Sequence, residues 1–294
     1  MNRQRNLWAK EALRSAYGRG ASRFATLRDG LRLRGAGSRL RAASSQLGRT
    51  VTLLGQPIVD LLLPPRCACC GAEQELFAHQ VLLCDVCRKS FTDGVAARCK
   101  RCGAVAAGDC LACRKRQPRF EQLVTLGPYA GPLRATVLRL KRPGHDALAE
   151  AMGLWLTERL LASLDAEDEP LVLANAVVMP VPMHWMRRVF QQVNSPDLVA
   201  AALAARMSLP LADDWLARRR HTPRQGPMLR TERLRNVRGA FELHSEEVVR
   251  DAHVIVVDDV VTTGATCDEV ARVLRRAGAR RVTVATLARA DSPR

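Results

Sequence analysis

No stretch of the chain is long and apolar enough to cross a membrane. The densest run, Pro57-Ile58-Val59-Asp60-Leu61-Leu62-Leu63, is short and broken by Pro64 and Pro65, whereas a spanning helix needs roughly 20 apolar residues. An apolar secretory leader is also lacking, so the protein is expected to be soluble and cytoplasmic, and its cysteines are not read as a secreted disulfide framework. Acid is scarce as well. Against 46 Lys and Arg stand 29 Asp and Glu, a net charge of +17 and a pI near 10.5, which points to anionic partners such as phosphates, nucleic acid or an acidic membrane surface. The excess is uneven: residues 1–50 hold twelve Lys or Arg against Glu11 and Asp29, so ten of the surplus charges sit there. The Arg, Ala, Ser and Gly bias of this arm, with Trp8, Tyr17 and Phe24 interspersed, fits a transit peptide, a polyanion-binding arm or an extension from an early start codon, and predicts disorder or weak helix.

What is present is an α/β core with a second, smaller module. At 294 residues and 47% hydrophobic the chain can bury both. The most informative segment is Val254-Ile255-Val256-Val257-Asp258-Asp259-Val260-Val261-Thr262-Thr263-Gly264-Ala265-Thr266. Four β-branched apolar residues in a row suit a parallel strand covered on both faces, and two carboxylates arrive where such a strand leaves its sheet, the edge at which ligands gather. Beyond them Thr262, Thr263, Gly264, Ala265 and Thr266 offer backbone N–H groups and three hydroxyls. Gly264 can take φ > 0, and the following helix aims its positive end at an anion. That helix is predicted from Val270, Val273, Leu274 and Ala277 at i, i+3, i+4 and i+7, with Asp268 and Glu269 in its first turn and Gly278 closing it. Residues 282–287 read as the next strand. Adjacent acids on an extended strand point to opposite sides, so only one of Asp258 and Asp259 is expected to face a ligand directly.

Four C-x-x-C pairs follow one another: Cys67 with Cys70, Cys84 with Cys87, Cys99 with Cys102, and Cys110 with Cys113. Each pair can present two sulfurs to one ion, and two pairs complete a closed structural Zn²⁺ site with no open position for catalysis. Sequential pairing is the simplest, and an interleaved one stays open. Two cysteines remain. Cys69 lies within Cys67-Ala68-Cys69-Cys70 and could replace a neighbour as ligand, although the spacing favours Cys67. Cys267 at the helix start reads as a small buried thiol with no chemistry assigned. His79 reads as a surface residue because the cysteine set is already full.

Elsewhere, Leu53, Leu54, Ile58, Leu61 and Leu62 form a stripe at near-helical spacing, read as core packing. Residues 123–129 read as a strand, Leu133, Val137 and Leu140 as one face of a short helix, residues 141–145 as a basic turn, residues 147–164 as a long amphipathic helix, and residues 174–181 as another buried strand. This alternation argues for a parallel sheet with helices on both sides. The basic, poorly periodic stretch from 218 to 241 reads as a lid or binding loop whose arginines can grip a polyphosphate.

The segment from Asp258 to Thr266 resembles the phosphoribosyl pyrophosphate signature of type I phosphoribosyltransferases. Together with the C-x-x-C pairs, Leu140-Lys141, Pro180-Val181-Pro182 and the run from Arg233 to Phe241, it resembles the ComF family of competence-associated, phosphoribosyltransferase-like proteins that includes GntX, over about residues 51–290. The charge bias sets a basic arm over 1–50 apart, and the resemblance implies a helix with a double zinc-ribbon module over 51–118 and a phosphoribosyltransferase-like domain over 119–294. It implies that Asp258 and Asp259 take the ribose hydroxyls and act catalytically, that residues 262–266 take the 5'-phosphate, that Gln225, Arg233 and Asn236 belong to a mobile loop, and that Mg²⁺ accompanies phosphoribosyl pyrophosphate. Two functions follow. One is transfer of a 5-phosphoribosyl group to a nitrogenous acceptor. The other is a non-catalytic module that senses a phosphosugar or engages single-stranded DNA and the uptake machinery. The family string Arg-Gly-Phe-Asn-Gln is here Arg188-Val189-Phe190-Gln191-Gln192, which removes a glycine's left-handed freedom and lengthens an amide. Retained phosphosugar binding is therefore a stronger expectation than transfer.

Overall fold

The computed structural model describes residues 65–74, 83–92, 96–165, 173, 175–182, 195–219 and 235–291. Pro65 aside, these belong to one compact unit made of Arg66–Gln74 and Ala78–Arg294. The arm, the apolar stripe from Leu53 to Leu62, His79, residues 188–192, Gln225 and Arg233 lie outside the described residues.

The cysteine-rich segment is built twice over. In the first copy Cys67 accepts from the Gly71 N–H at 2.8 Å and donates its own N–H to Ala72, also at 2.8 Å. In the second, Cys99 accepts from Gly103 at 2.8 Å and donates to Ala104 at 2.9 Å. Both turns close through a glycine at positive φ, 77° for Gly71 and 70° for Gly103, a conformation that side chains disfavour. Each turn is framed by an antiparallel bridge, Arg66 to Glu73 and Arg98 to Val105. Each is then answered by a helix that begins just after a cysteine, α1 (Asp85–Thr92) after Cys84 and α2 (Leu111–Lys115) after Cys110.

The sheet is parallel, in the order β1 (Gln122–Pro128), β6 (Arg281–Arg289), β5 (His253–Val261), β2 (Ala176–Pro180). In the central strand β5, Val254, Ile255, Val256 and Val257 have no exposed surface, as four consecutive β-branched residues require of a strand covered on both sides. On one face lie α3 (Gly131–Arg139), α4 (Asp146–Asp165) and α5 (Ser195–Met207). Leu133, Val137, Met152, Leu156 and Leu203 from these helices pack with Val124, Leu126, Val178, Ile255 and Val257. On the other face α6 (Ala265–Arg276) sets Val270, Ala271 and Leu274 against Val254, Val256, Val282 and Val284. The parallel α/β arrangement and these element positions agree with the sequence reading.

One element was not foreseen. The basic stretch from 218 to 241 is closed at its base by an antiparallel pair, β3 (Leu216–Arg218) with β4 (Phe241–Leu243). Strands of three residues are too short to show a period of two. The pair packs through Leu216 and Phe241 in the same apolar cluster as α6.

The first cysteine copy docks on the sheet by close backbone approach. Phe91 of α1 meets Trp155 of α4 with ring centroids 5.7 Å apart, and its carbonyl lies where a Cβ on Gly127 of β1 would stand. Gly127→Ala must therefore push α1 off the strand. We expect a loss of about 1–3 kcal/mol in the urea-unfolding free energy; an unchanged midpoint would contradict this packing.

Candidate functional site

β5 stays buried through Val257, and exposure begins with Asp258. After Val261 the chain turns through Thr262, Thr263 and Gly264, which takes φ 76° as the residue preceding α6. The N–H of Ala265 reaches the Thr263 hydroxyl at 3.4 Å, and that of Asp268 closes the first helical turn on the Gly264 carbonyl at 2.8 Å. Among the described hydrogen bonds the N–H groups of Thr263, Gly264 and Thr266 donate to no protein acceptor. First-turn N–H groups are the donors a helix leaves over, and the residues that carry them here line a cavity of about 130 Å³ together with Asn236 and Asp258. Six of the proposed phosphosugar residues (Asp258, Thr262, Thr263, Gly264, Ala265 and Thr266) thus share one cavity, and Asn236 joins them from the stretch leading into β4.

Asp259 stands apart. Its Oδ1 accepts from its neighbour Val260 N–H at 2.6 Å, and its Oδ2 pairs with Lys141 Nζ at 2.8 Å. The Asp258 Oδ1 accepts from the Asp259 N–H at 2.9 Å, and its Oδ2 faces the Cys267 thiol at 3.8 Å. The two acids therefore address different sides of the strand, as alternation demands. Asp258 lines the cavity; burial, and after it the Asp259 charge, push its carboxyl up to about 8. Burial and the nearby Asp258 likewise raise the Cys267 thiol, in keeping with an inert packed cysteine.

The acids of the first helical turn act as clamps. Asp268, read from sequence only as a dipole partner, is buried and accepts from Arg116 Nη2 at 2.8 Å, from the Arg119 N–H at 2.7 Å and from Arg119 Nη1 at 2.8 Å. Glu269 accepts from the Gly239 N–H at 2.6 Å and from Arg272 at 2.7 and 2.8 Å. Burial opposes its charge, but Arg272 and Gly239 outweigh burial and hold its carboxyl below the usual range. These two clamps bound a cavity of about 870 Å³ that shares Val237 and Ala265 with the loop cavity and is lined by Arg116, Arg119, Arg235, Arg238, Arg272 and Arg276. Sequence reasoning missed Lys141 and the Asp268 clamp as parts of the site. Lys141 was signalled by the basic turn at 141–145 and by the Leu140-Lys141 motif of the resemblance, neither of which pointed to Asp259, and the Asp268 clamp had no signal.

The cysteines resolve into two sets, Cys67, Cys70, Cys84, Cys87 and Cys99, Cys102, Cys110, Cys113, which is sequential pairing. Sulfurs lie 3.9 Å (Cys67 to Cys87), 3.7 Å (Cys70 to Cys84), 3.8 Å (Cys99 to Cys113) and 3.5 Å (Cys102 to Cys110) apart. Tetrahedral Zn–S bonds of about 2.3 Å place sulfurs roughly 3.8 Å apart, so both sets fit the ion. Within each set ionisation is uneven. Burial resists it, yet the N–H groups of Cys70, Cys84 and Cys69 bring Cys67 down to about 6, while burial and neighbouring sulfurs push Cys87 up. Cys110 likewise falls to about 7 against burial, through the Cys113 N–H first, and Cys113 rises through burial and its neighbours. Four thiolates at such spacing need a cation to coexist. Cys69 is no ligand: its sulfur lies 3.5 Å from the Thr136 hydroxyl.

Comparison with known proteins matches the same two parts. Residues 58–115 fit the double zinc ribbon domain, and residues 198–294 fit the phosphoribosyl transferase domain. DNA utilization protein YhgH of Escherichia coli (strain K12) is 33% identical over 212 residues, 70% of this chain and 90% of that protein. YhgH of Salmonella typhimurium is 33% identical over 211 residues, again 70% and 90%. Competence protein F of Haemophilus influenzae is 29% identical over 212 residues, 71% and 90%. The chain belongs to this competence protein F and YhgH family. Membership and sulfur geometry together make the two cysteine sets structural zinc sites. Among the described residues no helix is long and apolar enough to cross a membrane.

Two measurements check the site. Metal analysis should find two zinc ions per chain, still two in Cys69→Ser and one in Cys70→Ser; a loss in Cys69→Ser would contradict the ligand set. The Asp258 carboxyl ionises near its ordinary 3.8 when unfolded and only at about 8 when folded. Between those values the folded state keeps a proton the unfolded state has lost, so this group's contribution to stability falls as pH rises. Asp258→Asn should therefore gain on the parent in urea midpoint between about pH 4 and about pH 8 and level off above, and a constant difference across that interval would refute the raised carboxyl.

Proposed function

We propose that the chain binds phosphoribosyl pyrophosphate with Mg²⁺ at the end of β5, and that this site serves a role in DNA uptake and use like that named for its relatives. The observation that carries the reading is the joining in one cavity of Asp258 with Thr263, Gly264 and Thr266, whose N–H groups have no acceptor among the described residues. Those N–H groups and the start of α6 suit a 5'-phosphate. Asp258 suits a ribose hydroxyl on the cavity side, and Asp259 suits one on the other, with Asn236 at the rim. Lys141, beside Asp259, supplies a point charge on the side where a pyrophosphate would extend. Asp258 and Asp259 are also carboxylate donors of the kind Mg²⁺ accepts, and Mg²⁺ when bound neutralises pyrophosphate charge.

Transfer would break the bond from C1 to the pyrophosphate oxygen, with the electron pair leaving on pyrophosphate, and form a bond from C1 to an acceptor nitrogen that then loses its proton. The acids, the loop and Lys141 contribute by placement and by electrostatic stabilisation of a positively charged sugar ring. Asp259→Ala removes hydrogen bonds to a charged group worth about 1.5–3 kcal/mol, so calorimetry with phosphoribosyl pyrophosphate and Mg²⁺ should show a Kd roughly ten- to a hundredfold weaker with the fold retained. No heat and no shift of Thr263 resonances in the parent protein would sink the reading. Isotope exchange between pyrophosphate and phosphoribosyl pyrophosphate with candidate bases, abolished by Asp258→Ala, would favour the enzyme over the sensor.

A second reading has its own observation. Among the described residues lining the 870 Å³ cavity, six arginines stand against two acids, Asp268 and Glu269, and such an excess suits the phosphate backbone of single-stranded DNA. If a strand lies there, replacing Arg235 and Arg276 with Ala should lower the dependence of log K on log salt by about 0.7 for each phosphate no longer neutralised. An unchanged slope would place any DNA binding elsewhere.

A further inference from the structure

The second zinc site and the phosphate loop are joined on both sides of the loop. On the strand side, Arg289 at the end of β6 is buried and spans the gap. Its Nε donates to the Cys102 carbonyl at 3.1 Å, and its Nη1 donates to the carbonyls of Val261 at 3.4 Å and Ala290 at 3.0 Å. Val261 is the residue immediately before Thr262. Gly103 leaves no room for a side chain between the turn and this arginine, since a Cβ there would lie 2.8 Å from Leu123 and 3.4 Å from Arg289 Cδ. On the helix side, Arg116 and Arg119, which follow shortly after Cys113, hold Asp268 in the first turn of α6. Thr262, Thr263 and Gly264 lie between these two attachments. The gap left behind the loop is a cavity of about 20 Å³ bordered by Cys102, Phe120, Thr263, Gly264, Asp268 and Arg289, enough for about one water molecule.

We propose that the second zinc site is the rear wall of the phosphate loop, and that Arg289 and Asp268 are positioning residues that carry its metal state to Thr263 and Gly264. With four thiolates drawn onto one ion, the Cys102 carbonyl is fixed and Arg289 holds Val261 in register. When the metal leaves, the turn that presents Cys102 loses its restraint, and the loop's N–H groups lose their common direction. The first zinc site has no such link among the described residues; its contacts run to α3 and α4 through Thr136, Arg139 and Glu158. The proposal rests on the phosphosugar reading only for its ligand arm.

The test uses the full chain with NMR-active cadmium in both sites, the two resonances being assigned with Cys70→Ser. Ribose 5-phosphate, added to saturation as judged by calorimetry, should move the resonance of the second site far more than that of the first. Arg289→Met should keep both resonances, weaken ribose 5-phosphate binding about tenfold and abolish the movement, while Arg289→Lys restores part of both. A purely structural arginine would not give the ligand-dependent metal signal. A second resonance that stays fixed at saturation, or a first that moves as far, overturns the proposal. Should calorimetry detect no binding, the phosphosugar reading fails and a ligand-free arm decides the coupling. In that arm loss of metal from the second site in Cys113→Ser shifts the amide resonances of Thr263 and Gly264, and loss from the first in Cys70→Ser does not. Unmoved amides overturn it. If Cys113→Ser does not fold, the same amides in Arg289→Met decide: shifted resonances support the coupling and unmoved ones overturn it.

Discussion

The structure depends on the complete burial of the middle of β5. A strand with helices on both faces favours apolar side chains until it leaves the sheet, so the run Val254, Ile255, Val256 and Val257 leaves the paired acids to its carboxyl end. There two acids, a turn through Gly264 and the start of α6 fall within a few residues of one another. The position of the candidate site is thus a consequence of where apolar cover stops, and the flanking strands serve to keep that end in register. Thr286 of β6 contributes directly by donating its hydroxyl to the Asp259 carbonyl at 3.1 Å.

The cysteine modules extend the same scaffold. In both copies a backbone carbonyl of the metal-binding turn receives an arginine from the α/β body: Cys69 from Arg139 at 2.6 Å and Cys102 from Arg289 at 3.1 Å. Hydrogen bonds to charged groups stabilise by about 1.5–3 kcal/mol, and these two are placed with effect. Arg139 is two residues from Lys141, the partner of Asp259, and Arg289 reaches Val261, the residue before the loop. The internal duplication of the zinc module therefore repeats one docking device, an arginine of the α/β body on a turn carbonyl.

Much of this was legible in the residues, and the rest was not for a definite reason. β5 and α6 announce themselves through a β-branched run and a 3.6-residue stripe, and the ligand sets through C-x-x-C spacing, because each is a local pattern. The pairing of Lys141 with Asp259 and of Arg289 with Cys102 joins residues far apart in sequence, and nothing near either partner encodes the other. The hairpin of β3 and β4 escaped notice because three residues are too few for alternation. Asp268 and Glu269 were seen, but their place in the first helical turn suggested only dipole complementarity, whereas their burial commits them to holding the segment after Cys113 and the stretch before β4.

The unlike surroundings of the paired acids bear on how an anionic sugar could approach them. Two exposed carboxylates at the mouth of a phosphate site would repel the ligand the site is proposed to take. Here burial and the adjacent charge keep the proton on Asp258 up to about pH 8, and Lys141 offsets Asp259 at 2.8 Å. The mouth therefore presents little negative charge until a cation arrives with the ligand. A divalent ion favours the ionised form of Asp258, and a pyrophosphate competes with Asp259 for Lys141. Under the proposed reading, a ligand that brings a divalent ion would also charge Asp258, so that this carboxylate would become an acceptor when a sugar hydroxyl needs it. In that reading the N–H groups would supply the standing attraction, while Asp258 would withhold its charge until a cation balances it and Asp259 would keep Lys141 as its counterion.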